Sequence, residues 1–308
     1  VASSASAGPA AEPGTLRRFL LESQPLRGNW VRLGAAWHEL RAHRKYPAPV
    51  EALLGEAATA AVLLTATLKF AGTLTLQLAG NGRVRLLVAQ CTDDFRLRAV
   101  AHHDLEEGES ADFATLAGSG RLAVTVQPDA LTAQYQGIVP LEGRDLGHCL
   151  ERYFESSEQL PTRLLLAADA TRAGGILVQK LPGAAGGESA GAQLQAAWED
   201  LQRGLGTLTP ESLLEATVVD TVRQVSAGHD SRLFEATPVR FGCRCSDARV
   251  AGLVRALGID EARAALAEQG ALTVTCEFCG RDYRYDSVDV EQLFAADGPA
   301  QPSPQRYN

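Results

Sequence analysis

Four of the six cysteines fall within the 37 residues from Cys243 to Cys279, as Cys243-Arg244-Cys245 and Cys276-Glu277-Phe278-Cys279, giving the pattern C-x-C-x30-C-x-x-C. Two close pairs brought together by the chain between them can supply the four sulfurs of a tetrahedral structural zinc site. The same thiols offer a second chemistry, because oxidising a thiolate to a sulfenic acid or disulfide removes a strong metal ligand. Spacing alone leaves a static and a switching zinc site both open. Cys91 and Cys149 stand apart from this group. Cys149 shares an apolar helix face with Leu146, Leu150, Tyr153 and Phe154, and both thiols are expected to pack as small hydrophobes. The first fourteen residues, VASSASAGPAAEPG, lack the basic and apolar regions of a secretory signal, so the thiols are expected in a reducing, cytoplasmic compartment.

Other chemistries fit less well. A hydrolytic zinc site needs an open coordination position, and four sulfurs leave none. A thiol-disulfide oxidoreductase places its C-x-x-C at the start of a helix after a strand, whereas Cys279-Gly280 runs into a Tyr-rich strand pattern. A zinc ribbon gripping nucleic acid needs a basic stripe. The net charge is −8, and residues 240 to 290 hold seven Arg/Lys against eight Asp/Glu. His102-His103 has no phased partner and reads as a surface pair. Gly80-Asn81-Gly82 and Gly118-Ser119-Gly120 precede strands rather than helix N-termini, so they read as turns and not as phosphate loops. No enzyme, nucleic acid partner or membrane span is expected.

The cysteine pairs need elements to hold them. Leu272 to Thr275 and Asp282 to Tyr285 read as strands joined by a knuckle turn through Gly280. Ser246 to Ala256 and Asp260 to Gln269 read as short helices capped by Ser246 and Asp260. Arg244, Arg249, Arg281 and Arg284 could offset the negative charge of four thiolates around one dication, or be solvated. Upstream, Leu16 to Phe70 reads as mainly helical, with Pro47 and Pro49 separating two helices. Strand texture follows at Thr73 to Leu78, Val84 to Val88, Leu122 to Val126, Thr132 to Val139, Thr162 to Ala167 and Ile176 to Leu181. The Asn81-Gly82 pair suggests a tight hairpin with positive φ. Residues 183 to 191, GAAGGESAG, break the composition. A helical stripe of Leu194, Ala197, Trp198, Leu201 and Leu205 follows, then a helix capped by Thr209 with Pro210 in its first turn. The resulting architecture is α+β. It comprises a tail (1–14), an N-terminal mixed helix and sheet domain (15–182), a break and helical linker (183–235), a small C-terminal zinc-binding module (236–296) and a second tail (297–308).

A module of about fifty residues buries too little apolar surface to stay folded unaided, so bound metal becomes part of its folding energy. That makes switching physically feasible. From about residue 15 to 295 the sequence resembles the thirty-three-kilodalton chaperonin family, redox-regulated holdases of the bacterial heat-shock response. The likeness is carried by Leu63 to Phe70 (LLTATLKF), Tyr135 to Gly143 (YQGIVPLEG), Tyr153 to Arg163 (YFESSEQLPTR), Ala173 to Pro182 (AGGILVQKLP) and the two cysteine pairs in order. The resemblance implies that Cys243, Cys245, Cys276 and Cys279 bind one Zn2+ per chain in a reduced, inactive monomer. It further implies that oxidants join Cys243 to Cys245 and Cys276 to Cys279 as the zinc leaves, unfolding the module and loosening the linker. The activated form would then dimerise and hold unfolding client proteins without ATP. The Ala- and Gly-rich N-terminal extension and the 183–191 break depart from the family pattern, but neither touches the ligand positions.

Overall fold

An apolar helix sits at the centre of the N-terminal part. α1 (Ala35–Arg41) leads through Pro47 into α2 (Ala48–Thr67), where Pro49 occupies a first-turn position that needs no amide donor. By length and composition α2 could cross a membrane, yet 83% of its apolar window is buried inside the protein, so it is the core helix. The computed structural model describes residues 12–130, 134–182 and 188–295, and these form two compact units that divide between Gly242 and Cys243. The second tail, residues 1–11 of the first and residues 183–187 of the break lie outside the described residues; Glu12 to Gly14 are ordered, the Ala35 amide donating to the Glu12 carbonyl at 2.7 Å, and 188–191 belong to a helix.

The strands of the larger unit are β1 (Gly14–Leu21), β2 (Leu26–Arg32), β3 (Gly72–Gly80), β4 (Val84–Thr92), β5 (Arg96–His103), β6 (Gly120–Pro128), β7 (Tyr135–Pro140), β8 (Thr162–Ala168), β9 (Ala173–Lys180) and β10 (Ser231–Phe241). They make one ten-stranded sheet in the order β7-β6-β3-β4-β5-β10-β1-β2-β9-β8. The mixture of sheet and helix is the expected α+β class.

Residues 16 to 32 correct the sequence reading: they are strands β1 and β2, not helix. The cause is burial on both faces. Leu16 and Val31 join the core around α2, while Phe19, Leu21, Leu26 and Trp30 point into a second apolar cluster on the opposite face. A strand covered on both sides loses its polar alternation, and apolar residues at 16, 19, 20 and 21 then imitate helical spacing. A register shift between Arg17 and Phe19 disturbs the period further.

That second cluster is completed by three helices. α5 (Glu188–Gly206) contributes Ala197, Trp198, Leu201 and Leu205, the stripe read from the sequence. α6 (Pro210–Glu215) starts in a capping box in which Thr209 and Ser212 exchange side-chain and backbone hydrogen bonds, and α7 (Val218–Ser226) is capped by Thr217. Arg32 Nη2 donates to the carbonyls of Leu213 and Ala216 at 2.9 and 3.1 Å, and Arg172 Nη1 to that of Leu214 at 3.4 Å. Arg32 of β2 and Arg172, just before β9, thus satisfy carbonyls that the end of α6 leaves open. The chain then returns as β10 between β1 and β5, so residues 231–241 lie inside the sheet.

The β3–β4 hairpin forms as expected, but neither Asn81 nor Gly82 is among the residues with positive φ. Close approach, not handedness, explains the glycine: a Cβ on Gly82 would sit 2.4 Å from the Leu116 carbonyl oxygen and 2.5 Å from the Gly118 nitrogen. The Gly80–Gly82 and Gly118–Gly120 segments are turns packed on each other, with the Ser119 amide donating to Asn81 Oδ1 at 2.7 Å. α3 (Phe113–Ala117) precedes the second turn. α4 (Leu146–Tyr153), capped by Asp145, continues as a π-helical turn over Phe154–Glu158.

The smaller unit contains α8 (Asp247–Leu257), α9 (Ile259–Gln269), the hairpin β11 (Leu272–Thr275) with β12 (Asp282–Tyr285), and α10 (Ser287–Ala295). Ser246 caps α8 as expected. Gly258, not Asp260, is the N-cap of α9, because α9 begins one residue earlier than the sequence pattern suggests and Asp260 falls within its first turn. The apolar core of this unit is small: Val254, Ala262 and Val290 form its central cluster, and Val250, Ala271 and Tyr283 are buried outside it.

Candidate metal centre

The two cysteine pairs reach one point by different local means. Cys243 and Cys245 lie in the irregular segment between β10 and α8, and the Ser246 cap fixes where that segment turns into helix. Cys276 and Cys279 lie in the turn of the β11–β12 hairpin. There the Cys276 amide donates to the Arg281 carbonyl at 2.9 Å and the Gly280 amide to the Cys276 carbonyl at 2.8 Å. Gly280 has φ of 64°, a left-handed conformation that glycine adopts without penalty, so the knuckle closes through it as the sequence suggests.

All four Sγ atoms lie within 4.8 Å of one another. Cys243 and Cys276 are 3.5 Å apart and Cys245 and Cys279 are 3.4 Å apart. All six cysteines of the chain are thiols. A tetrahedron with metal–sulfur bonds of about 2.3 Å has sulfur–sulfur edges of about 3.8 Å, so the four half-buried sulfurs fit a single metal ion. Among the described residues this is the one group of metal-ligating side chains that converges in this way.

The electrostatics match a set of sulfurs sharing negative charge. Burial raises the Cys243 thiol, and burial with the neighbouring sulfurs raises that of Cys279. At Cys245 burial opposes ionisation, but the Tyr283 hydroxyl and the other three cysteines outweigh it and bring the thiol down to about 7. Tyr283, with its side chain buried, is a site residue that sequence reasoning missed, having read it only as part of a strand. Its hydroxyl has no well-formed hydrogen bond of its own and lies against Cys245, whose sulfur pushes it up to about 12. A ligand thiolate would give that buried donor an acceptor. The only sequence hint was a hydroxyl-bearing aromatic four residues past the second pair.

The arginines divide. Arg249 Nη1 donates to the Arg244 carbonyl at 2.8 Å. Arg281 lies 4.9 Å from the centre of the Tyr283 ring and 3.7 Å from Asp247, so it reaches the site through the tyrosine.

Cys91 and Cys149 are fully buried in the core around α2, and burial pushes their thiols up to about 12 and about 11. They pack, as expected. His102 and His103 are half-buried at the end of β5 rather than on an open surface, with His103 Nδ1 3.2 Å from the Leu105 carbonyl oxygen.

Comparison with known proteins places the whole chain in one family. The sequence profile of the family described as Hsp33 protein matches residues 14–286. The 33 kDa chaperonin of Ectopseudomonas mendocina is 40% identical over 293 residues, covering 94% of this chain and 98% of that protein. That of Nitrosococcus oceani is 41% identical over 279 residues, covering 91% and 93%. The crystal structure of the Thermotoga maritima 33 kDa chaperonin superposes with a TM-score of 0.79 at 24% identity, covering 92% of this chain and 99% of that one, which establishes the shared fold. The chain therefore belongs to the Hsp33 protein family and is a chaperone, not an enzyme.

Proposed function

We propose that this chaperone is an ATP-independent holdase switched by oxidation of a zinc-bound thiol cluster. The observation that carries the reading is the convergence of Cys243, Cys245, Cys276 and Cys279 within 4.8 Å, in a small unit whose central apolar cluster has three fully buried side chains. One Zn2+ held by these four residues supplies the cross-link that so small a core cannot replace. Cys243 and Cys245 tie the entry to α8, and Cys276 and Cys279 tie the hairpin turn, so the ligand set joins both parts of the unit.

Oxidation converts the cluster into Cys243–Cys245 and Cys276–Cys279 disulfides. Forming each disulfide removes two electrons and two protons from two thiols, and one hydrogen peroxide takes them up as two waters. The shortest sulfur contacts run across the pairs, Cys243 to Cys276 and Cys245 to Cys279, so peptide mapping of the oxidised protein separates the two pairings. Loss of four thiolates removes the cross-link, the unit unfolds, and helices α5 to α7 loosen. Those helices cover Phe19, Leu21, Leu26, Trp30, Ile176 and Val178 on the sheet, an apolar face that would attract unfolding chains once uncovered. The reduced form is a cytoplasmic monomer and the oxidised form a homodimer.

The test is suppression of light scattering from a heat-labile client, with the chaperone either reduced and zinc-loaded or treated with peroxide or hypochlorite. Protection by the oxidised form alone is expected. Equal protection by both forms refutes the switch.

A further inference from the structure

The ten-stranded sheet is two five-stranded halves that meet where β5 abuts β10. β10 pairs antiparallel with β1 over seven register positions, and the last is Val239 opposite Gly14. Beyond Val239 it changes partner. Arg240 and Phe241 pair parallel with Arg96 and Leu97, with the Arg240 amide donating to the Phe95 carbonyl at 3.1 Å and the Gly242 amide to the Leu97 carbonyl at 2.9 Å. Those two hydrogen bonds fasten the final residues of β10 to the sheet, and the next residue is Cys243.

The β5 edge is prepared to receive a strand at this place. Phe95 adopts φ of 58°, an uncommon conformation for a bulky side chain, and its carbonyl is one of the two acceptors. Further along, the edge is closed by side chains: the Ala101 amide donates to Tyr46 Oη at 3.3 Å and its carbonyl accepts from Arg44 Nη1 at 3.5 Å. What fills the open stretch is two amide donors flanking one apolar residue, Phe241, which is partly buried against the core beside His43. That is a demand for extended backbone and one apolar side chain, with no charge requirement, and an unfolding protein meets it at many places along its chain.

We infer that the β5 edge at Phe95–Leu97 is a strand-accepting site, filled by Arg240–Gly242 while the cysteine unit is metal-held and occupied by an extended apolar segment of an unfolding protein after the metal is lost. The inference rests on the switching reading above. With Cys243 anchored in a folded unit, Arg240–Gly242 is held at both ends. With that unit unfolded, the segment is a free tether whose short parallel pairing competes with incoming chains.

Two measurements on the full chain test this. Amide exchange should accelerate at least tenfold at Arg240 and Gly242 on zinc chelation, while Leu233 to Thr237, opposite β1, keep their protection. A benzoylphenylalanine in place of Arg96, photolysed with an unfolding client, should cross-link to the client only in the oxidised, zinc-free protein. It should do so about tenfold more than the same probe in place of Tyr135 on the edge strand β7. Unchanged exchange at Arg240 and Gly242, equal cross-linking at both edges, cross-linking to a second copy of the chain, or none from a protein that still prevents aggregation each overturns the inference. If the oxidised protein prevents no aggregation, the switching reading fails instead, and the inference with it.

Discussion

Removing the metal from the reduced protein should unfold residues 243–295 and leave both five-stranded halves of the sheet intact. Two buried valines, Val254 and Val290, contribute about 1.5–2 kcal/mol each and Ala262 less, giving about 4 kcal/mol. The six partly buried neighbours, Leu266, Leu272, Val274, Tyr285, Leu293 and Phe294, add about as much again. The exposed Arg263–Glu291 pair, at 2.7 Å, is screened by solvent and adds little. A structural zinc in a small module supplies about 10–16 kcal/mol. Val250, Ala271 and Tyr283, buried elsewhere in the unit, add about 4 kcal/mol more, so the metal is comparable to the whole apolar contribution and its loss removes about half of what holds the unit together. Chelation followed by amide exchange with mass spectrometry should show loss of protection throughout α8 to α10 and the β11–β12 hairpin, with α2, β3 and β4 unchanged. Limited proteolysis should cut the same region. A chelated protein that retains full protection over 243–295 refutes the reasoning, because its apolar core would then suffice.

Other perturbations have definite outcomes. Tyr283→Phe removes only the hydroxyl beside Cys245, and chelator competition should show metal affinity falling about 10–100-fold with the fold retained. Replacing both Arg32 and Arg172 with alanine strips the hydrogen bonds from the end of α6. About 3 kcal/mol of linker docking should be lost, read as faster proteolysis within 188–226 of metal-loaded protein. Glu56 on α2 is pushed up to about 8 by burial and the nearby Asp145. Its folded pKa lies above the unfolded value, so its contribution is fully present below about pH 4.5 and is lost as pH rises through 8. Glu56→Gln should remove that loss, and its Tm relative to wild type should rise from pH 5 to pH 8, corresponding to about 2–4 kcal/mol.

Legibility varied with how local each cause was. The C-x-x-C knuckle, both strands of its hairpin, the Ser246 cap and the α5 stripe depend on neighbours a few residues away, and each was readable. Leu16 to Arg32 was misread because α2 and α5 to α7 cover opposite faces of β1 and β2, and the sequence carries no mark of a second cover. Asn81-Gly82 marked a turn correctly but for the wrong reason, since the glycine answers to a loop more than thirty residues away.

By itself the sequence singled out the four cysteines that the fold brings together and the family, because residue type and spacing along one chain are enough to mark four soft donors in two pairs. Only the tertiary structure decided that Tyr283 stands beside Cys245, that two arginines hold the end of α6, and that β10 changes partners just before Cys243. Those arrangements depend on side chains and strand edges meeting across long stretches of chain. Such encounters are set by the packing of the whole core, and no local pattern encodes them.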